Sequence, residues 1–542
     1  MSYANIYVTI ALAILATTGR VFLTIGLSIV TGWLLGYLAI KSRAFESVYV
    51  GLSEVLESVP VISFFPVVLI FFVDRIGGYI GVELAVDFLV FTAVVWNIWM
   101  GIYQAFKTLP LPMLEVAENL RYGFIAKMRR LYIPFSMPRI AANLIPSFAD
   151  AYFYITVSEV FSIGATSYHV FGIGSLIAKF MNEGMLNYVY YSLLGLAMLI
   201  AGVIFALRNF ANWAVAKYGL DTPPRSAHPG VRTRWRSLSR FYAAARPLRV
   251  ITTVTSRPVR AVPLRRVERI QLSERQLDWA LRIVGAVLLL LIIYGAAKAA
   301  LSVKPSTWNY LLSNTWPIIV GLAYDYARVA VITLISFAIA VFVGYYLAFH
   351  RRAEAVFIPL IQSLSALPAP AYFPLLFLAT SAILYRAFGG FTNELYVLFL
   401  GFVSTFYYIF YAYWMGIKAV PHEVVELMDN LNMGFFKRLR KILIPGTLPY
   451  IVTGLTSTID SAWGGLMIGE YWPDIIGDKT LEVSHGILKI LDVATNEGNI
   501  ALAAYASLIF GIVVVAFALL FTRHLLEISR RKYVIEESIY AA

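Results

Sequence analysis

Two stretches of the chain carry the same arrangement of acidic, glycine, basic and proline residues. Residues 115–134 read EVAENLRYGFIAKMRRLYIP, and residues 426–445 read ELMDNLNMGFFKRLRKILIP. In each stretch two acids stand three positions apart, so that they share one face of a short helix. A glycine follows where helices commonly end in a left-handed residue, and a basic segment then leads to Ile-Pro. This pattern predicts a helix–turn–helix elbow outside the membrane on the cytoplasmic side, with an ordinary amphipathic surface loop as the alternative.

The other reactive residue types form no catalytic or metal-binding pattern. The chain has no cysteine, which excludes disulfides, thiolate metal sites and thiol catalysis. Its six histidines are scattered, so no metal site is expected. A G-x-x-x-x-G-K-[ST] phosphate loop is missing from the sequence, as is the D-D-x-x-D type of acid cluster that an intramembrane enzyme needs. The chain is therefore predicted not to be an enzyme.

The elements that position these stretches are predicted to be membrane helices. Of the 542 residues 60% are hydrophobic and 14% are charged, whereas soluble domains have roughly 45–50% and about 25%. Several apolar runs reach the ~20 residues that cross a bilayer as a helix. We expect an all-α polytopic membrane protein with about 11–12 transmembrane helices. The predicted spans are 20–40, 47–72, 84–107, 138–159, 187–208, 279–301, 327–349, 355–380, 395–418, 449–470 and 500–523, and residues 4–18 form either a short span or a segment along the outer surface.

Both elbows belong to a longer internal repeat. Arg20 and Arg328 correspond at an offset of 308 residues, and Glu159 and Glu470 correspond at an offset of 311. Both copies place the polar stretch on the same side of the membrane, which predicts parallel repeats related by an axis along the membrane normal. The predicted organisation is a first unit at 1–218, a linker at 219–276 and a second unit at 277–542.

The positive charge indicates the orientation of the chain. The formal net charge is +13, and residues 221–275 hold thirteen arginines against three acids. Basic loops of this kind lie in the cytoplasm of membrane proteins, beside anionic lipid headgroups. We therefore expect a multi-pass protein of the plasma membrane whose linker and C-terminus are cytoplasmic. We expect no nucleic-acid partner.

Both stretches have the pattern E-x-x-(E/D)-x-x-x-x-G, which is followed after nine residues by Ile-Pro. This pattern resembles the "EAA" loop of permease subunits in binding-protein-dependent ABC importers. In that family the loop contains the coupling helix, which docks on a cytoplasmic ATPase subunit. The second copy, ELMD, departs further from the family pattern than the first, EVAE. The resemblance implies that two permease units are fused in one chain. It implies ATPase coupling through Glu115, Glu118, Gly123, Glu426, Asp429 and Gly434.

A second resemblance concerns proline-containing segments. The segments SVPVISFFPVVLIFF (58–72) and ALPAPAYFPLLFLAT (366–380), with GIGSLI (172–177), are similar to nitrate/sulfonate/taurine-type permeases. This likeness implies a small anion as solute. Prolines remove backbone donors and kink helices, and freed carbonyls are tolerated in a bilayer only beside protein or a watery cavity. The prolines therefore line the translocation pathway or form static packing kinks: Pro60, Pro66, Pro368 and Pro374.

Several polar side chains are further candidates for the pathway. Glu159 and Glu470 lie near the outer ends of their spans, where a pathway role competes with capping of the following loop. Asp150, Asp460 and Asn97 are weaker candidates. Three tryptophans could line a cavity, but packing or contact with lipid is the favoured role for each of them: Trp96, Trp99 and Trp463.

The importer resemblance also implies the partners. ATP and Mg would be bound by two copies of a separate ATPase subunit, with no cofactor in this chain. An extracytoplasmic solute-binding protein would deliver the solute to the chain in its lipid bilayer. The alternative is an ATP-independent secondary transporter built from parallel repeats. That alternative needs coupling charges deep in the spans, and the sequence shows few.

Overall fold

The computed structural model describes residues 3–58, 61, 68–163, 166–218, 304–476, 479–522 and 524–525. The predicted linker at 219–276, the predicted span 279–301, Pro60 and Pro66 lie outside the described residues.

The first half begins with one continuous helix. α1 covers the 39 residues Tyr3–Lys41, and no proline interrupts this apolar segment. At 1.5 Å per residue it is about 58 Å long, longer than the ~30 Å hydrocarbon core. The prediction that residues 4–18 form a separate element is therefore wrong. Further helices of this half are α2 Arg43–Ser58, α3 Gly78–Lys107, α4 Leu111–Asn119, α5 Ile133–Ser158, α6 Ile173–Asn182 and α7 Leu186–Tyr218, with a π-helical segment at Leu69–Ile76.

The second half repeats this order of elements. Its helices are α8 Pro305–Ser313, α9 Thr315–Phe349, α10 Arg351–Ser365, α11 Ala369–Phe388, α12 Thr392–Ala419, α13 His422–Asn430, α14 Leu448–Glu470, α15 Ile487–Asn496 and α16 Ile500–Phe517. The predicted single span 355–380 is wrong, because the chain breaks between α10 and α11. Pro368 stands at this break with extended backbone angles, φ −65° and ψ 119°. A proline has no N–H to donate and disfavours helix in the residue before it.

The helices confirm an all-α polytopic membrane protein. Seven described stretches are long and apolar enough to cross a bilayer, or eight if one bent helix pair counts as a span. The stretch Ala369–Ala419 holds both α11 and α12. Helices α2 and α10 have only 16 and 15 residues, fewer than the ~20 needed. The number of membrane-length stretches among the described residues is thus below the predicted 11–12.

Two short β-hairpins, which the sequence analysis does not predict, add to the helices. β1 Val160–Ile163 pairs antiparallel with β2 Thr166–His169. β3 Tyr471–Ile476 pairs antiparallel with β4 Lys479–Glu482. Each hairpin begins directly after Glu159 or Glu470 and leads to a short helix, α6 or α15. The hairpins therefore lie at the ends of α5 and α14, far along the chain from the elbows.

The two halves pack against each other. In the first half α3 lies between α1 and α5, and in the second half α12 lies between α9 and α14. Across the interface α11 contacts α5 and α6, and α10 contacts α7. The hydrophobic core of the first half also takes in Ala366, Ala371 and Tyr407 of the second half. Polar side chains of α2, α3 and α5 thereby come to face those of α12 and α14.

Candidate functional site: two elbows and an interface cavity

Each elbow is a short helix, a left-handed turn residue and a second helical segment. After α4 come the short helix Phe124–Lys127 and the π-helical Met128–Tyr132, which runs into α5. After α13 come Phe435–Arg438 and Leu439–Leu443 in the same order. The two stretches that share a sequence pattern thus form two elbows with the same order of helical segments.

The turn itself differs from the prediction. The left-handed residues are Arg121 with φ 51° and Asn432 with φ 46°, which stand 311 positions apart. Gly123 has φ −71° and Gly434 has φ −66°, both extended, and each precedes the next helix. A β-carbon at Gly434 would meet no atom within 4 Å. The prediction that these glycines supply the left-handed angles is wrong, and nothing within the described chain requires a glycine at Gly434.

An ion pair closes each elbow at the same position. Lys127 Nζ lies 3.6 Å from Glu118 Oε1, and Arg438 Nη1 lies 2.8 Å from Asp429 Oδ1. Each pair joins the short helix to the segment that follows the turn. Because the acidic partners are exposed, each pair stabilises its elbow by less than about 1 kcal/mol. The pairs fix geometry more than they add stability.

The outer face of each elbow is apolar and exposed. Ala117 and Met428 are buried and attach α4 and α13 to the rest of the chain. By contrast, Ile125 is 77% exposed and Phe436, 311 residues later, is 75% exposed. The exposed apolar residues at corresponding positions are Val116 and Leu427, Leu120 and Leu431, and Ile125 and Phe436. We call each set of three the elbow patch. Glu115 and Glu426 are exposed beside these patches.

A cavity of about 70 Å³ lies where the two halves meet, more than two water volumes of ~30 Å³. Helices α2, α3 and α5 line it from the first half, and α12, α14 and the junction of α10 and α11 line it from the second. Corresponding positions face each other there but carry different residues. The pairs are Glu57 with Ser365, Asn97 with Tyr408, Asp150 with Ser461, and Ala149 with Asp460.

Asp150 connects the two halves across this cavity. The Tyr408 hydroxyl donates to Asp150 Oδ2 at 2.6 Å, and the Tyr407 hydroxyl donates to Oδ1 at 3.3 Å. Gly464 makes room for a first-half side chain, because a β-carbon there would lie 2.8 Å from the Tyr154 hydroxyl. The cavity wall is thus built by both halves together.

The sequence candidates divide between the cavity and the packed interior. Among the weaker candidates, Asp150, Asp460, Asn97 and Trp96 line the cavity, and so does Pro368. Their role in a pathway stays a prediction.

The remaining candidates pack elsewhere. Pro374 is buried inside α11. Trp99 donates its indole N–H to Thr31 Oγ1 at 2.9 Å, and Trp463 is buried against Tyr326 and Phe510. These tryptophans have the packing role that the sequence analysis favours.

Comparison with known proteins identifies the second half. Residues 336–532, which contain the second elbow, match the family described as "Binding-protein-dependent transport system inner membrane component". Residues 336–532 are thus similar to the permease subunits of ABC importers. This confirms the family resemblance that the elbows indicate. The match leaves the first half and the fusion of two units untested.

Curated relatives are permease proteins as well. The chain is 24% identical over 189 residues to the putative aliphatic sulfonates transport permease protein SsuC of Bacillus subtilis, covering 33% of this chain and 63% of the relative. It is 27% identical to the bicarbonate transport system permease protein CmpB of Synechococcus elongatus, covering 26% and 48%. It is 25% identical to the nitrate import permease protein NrtB of the same organism, also covering 26% and 48%. The matches thus span about half to 63% of these relatives. No solved structure matches the chain.

Within the permease domain Glu470 is part of a buried ion-pair network. Arg328 Nη1 lies 3.3 Å from Glu470 Oε1 and 2.6 Å from Asp325 Oδ1, and Nη2 lies 2.6 Å from Glu394 Oε1. The backbone N–H of Lys489 donates to Glu470 Oε2 at 3.0 Å, and that of Ile487 donates to Asp325 Oδ2 at 2.8 Å. Both acids therefore stabilise the N-terminus of α15, where the helix dipole favours negative charge.

The first half has the corresponding network. Arg20 Nη1 lies 3.2 Å from Glu159 Oε1, and Arg20 Nε lies 2.5 Å from Glu83 Oε1. Glu159 accepts from the Thr17 hydroxyl at 2.6 Å and from the Gly174 N–H at 2.7 Å, at the start of α6. Glu159 and Glu470 thus do not line the cavity, and their contacts favour the capping interpretation over the pathway one. The sequence analysis does not identify Glu83 and Glu394 as site residues, although the two glutamates correspond at the repeat offset of 311.

Two glycines make these networks possible, and replacing either is expected to destabilise the fold. A β-carbon at Gly172 would lie 2.0 Å from Glu159 Oε1, and one at Gly486 would lie 2.0 Å from Glu470 Oε2. The carboxylates are held by several bonds, so Gly172→Ala and Gly486→Ala should each cost about 1–3 kcal/mol. Thermal unfolding of the purified chain measures this. Gly202→Ala, where a β-carbon meets nothing within 4 Å, is the control, and equal unfolding temperatures in all three variants would contradict the argument.

Proposed function

We propose that this chain forms the complete membrane pathway of an ABC importer, with two permease units fused in tandem. The observation that carries the proposal is the pair of elbows. The family match covers the second elbow. The first has the same ion pair, the same left-handed turn residue and the same exposed elbow patch at corresponding positions. Such agreement in a segment that contributes little to the core supports a shared task.

That task is docking of an ATPase subunit on each elbow. Exposed apolar clusters rimmed by charge mark protein-binding surfaces, and each elbow patch lies beside exposed acids, Glu115 or Glu426. Glu118 and Asp429 hold the turn through their ion pairs. The two ATPase subunits would bind ATP and Mg, and an extracytoplasmic solute-binding protein would deliver the solute. The elbows, the linker and the C-terminus would then be cytoplasmic in the plasma membrane.

The solute is less well indicated. The relatives named above transport sulfonates, bicarbonate or nitrate according to their names, which supports a small anion. The matches cover only part of each relative, and the interface cavity carries the opposite sign of charge to a site for anions. The proposal therefore extends to a small solute and not to a particular anion.

Composition of the native complex tests the importer proposal. The tagged chain would be purified from its own membranes in mild detergent, and its partners would be identified and quantified by mass spectrometry. We expect a stoichiometric ATPase with a phosphate loop, at about two copies per chain, one for each elbow. A chain that repeatedly purifies without any ATPase would favour the secondary transporter.

Gly434→Val is expected to weaken ATPase binding while leaving the fold intact. The φ of −66° and ψ of 161° suit a β-branched residue, and its β-carbon would meet nothing within the chain. Thermal stability should therefore change by less than about 0.5 kcal/mol. A partner that packs closely against the turn would meet the new side chain. Gly390→Val, equally free of neighbours but outside the elbows, is the control, and equal ATPase recovery in both variants would remove Gly434 from the docking surface.

A further inference from the structure

An open apolar groove lies between α1 and the first elbow. Its volume is about 260 Å³, close to the lower end of ligand pockets at about 300 Å³. Val30 and Leu34 line it from α1, and the elbow contributes Phe124 and Ile125. Apart from Arg129, the residues that line the groove are apolar. The groove is separate from the interface cavity and from both arginine networks.

An exposed apolar stripe on α1 leads into the groove. Its four residues stand three or four positions apart, so they share one face of the helix, and each is half or more exposed: Leu23, Leu27, Val30 and Leu34. α1 is long and apolar enough to cross a bilayer. The two stripe residues in the groove lie about 10 and 16 Å before Lys41 along the helix, and one leaflet of the hydrocarbon core is about 15 Å thick. The groove is therefore continuous with a surface that faces lipid.

The corresponding space beside the second elbow is filled. Leu34 corresponds to Phe342 at the offset of 308, and Phe124 corresponds to Phe435 at the offset of 311. Phe342 stacks on Phe435 with ring centroids 5.8 Å apart. Phe124, which has leucine as its neighbour on α1, is 49% exposed, whereas Phe435 is partly buried. The smaller leucine side chain thus leaves the groove open in the first half.

Arg129 places a free positive charge at this groove. The neighbouring Lys127 is paired with Glu118 at 3.6 Å. Arg130 donates to the Tyr122 hydroxyl at 3.1 Å. Arg129 is exposed, and within the described chain its guanidinium has no such partner. A guanidinium presents its donors in a planar fork that matches a phosphate group. The groove therefore joins an apolar, lipid-facing surface to a group that binds phosphate.

We propose that this groove holds one anionic phospholipid, with an acyl chain between Leu34 and Phe124 and the phosphate on Arg129. Its place in the cytoplasmic leaflet rests on the proposed function, in which the elbows are cytoplasmic. A protein partner would also cover apolar surface, but the stripe continues the groove along a helix of membrane length. The second elbow has no equivalent site, because Phe342 occupies the space.

Lipid titration of the full chain, purified without ATPase and stripped of lipid, tests the proposal. The probes are phosphatidylglycerol and phosphatidylcholine with identical acyl chains, and native mass spectrometry counts the lipids bound. We expect one phosphatidylglycerol to bind about fivefold more tightly than phosphatidylcholine, from one arginine at the membrane surface. Inorganic phosphate should not displace it, since the acyl chain is part of the ligand. Equal affinities for the two lipids, or displacement by phosphate, would overturn the proposal.

Three variants locate the site. Arg129→Gln breaks no bond within the described chain and should lower phosphatidylglycerol affinity about fivefold, to that of phosphatidylcholine. Arg440→Gln removes the exposed arginine at the corresponding position of the second elbow and should leave the affinity unchanged. Leu34→Phe fills the groove as Phe342 does in the second half, and should weaken binding of both lipids. Equal phosphatidylglycerol affinity in the two glutamine variants would contradict the assignment.

The ATPase is the competing occupant, because Ile125 lines the groove and also belongs to the first elbow patch. Recovery of the ATPase with each variant from native membranes separates the two. If Arg129→Gln loses the ATPase but keeps its selectivity for phosphatidylglycerol, the groove is part of the docking surface and the lipid proposal fails. Failure of the importer proposal would instead show as a missing ATPase with selective lipid binding retained.

Discussion

The double variant Leu120→Glu, Leu431→Glu is expected to lose ATPase association and ATP-driven transport together. Both leucines are more than half exposed at corresponding positions in the elbow patches, so the fold does not need their apolar side chains. Anchoring residues at the centre of an interface commonly contribute 2 kcal/mol or more, and charge there should weaken docking by about thirtyfold or more. Quantitative mass spectrometry of the tagged complex measures the association.

A conservative pair of substitutions separates docking from folding. Leu120→Met, Leu431→Met keeps volume and apolar character, and should retain the ATPase at the original stoichiometry. The single glutamate variants show whether each elbow holds its own subunit, because each should lose about half of the ATPase if the two sites act independently. Recovery of the full complement of ATPase with the double glutamate variant would exclude the elbow patches as the docking surface.

The sequence predicts the elbows well because their signal is local. The acids, the glycine and Ile-Pro lie within 20 residues, and the second copy repeats their spacing. The position of the left-handed residue is not predicted in the first elbow, since arginine rarely adopts a positive φ, whereas asparagine, the residue type of Asn432, adopts it more often than most residues other than glycine. Ion pairs and buried anchors such as Met428 fix that angle. A residue pattern shows that a turn exists, whereas the packing around it decides which residue takes the strained conformation.

The cavity could be predicted only in part. Asp150, Asp460 and Asn97 are conspicuous because polar groups are rare in spans. Glu57, Tyr407 and Tyr408 are not, since they join the cavity only through packing of helices that are hundreds of residues apart in the chain. The sequence also does not predict the full length of α1, because hydropathy indicates which residues fit within a bilayer but not the residue at which the helix begins.

Removal of one arginine from the second-half network is expected to have the largest effect on stability. Arg328→Met takes the counter-charge from Glu470 and Asp325, which are fully buried, and from Glu394. Breaking a buried pair while its partner stays charged costs about 3–5 kcal/mol. Thermal unfolding of the purified chain should therefore begin at a much lower temperature, or the chain should fail to accumulate in membranes.

The first half provides the comparison for this prediction. Arg20→Met leaves two acids, Glu83 and Glu159, because Thr17 stands where the second half has Asp325. Its loss of stability should therefore be smaller than that of Arg328→Met. Adding Asp325→Asn to Arg328→Met should restore part of the loss, since one uncompensated buried charge is removed, and the coupling between the two changes follows from a double-mutant cycle. If Arg328→Met unfolds at the temperature of the unmodified chain, the network is not what holds α15 against α9 and α14.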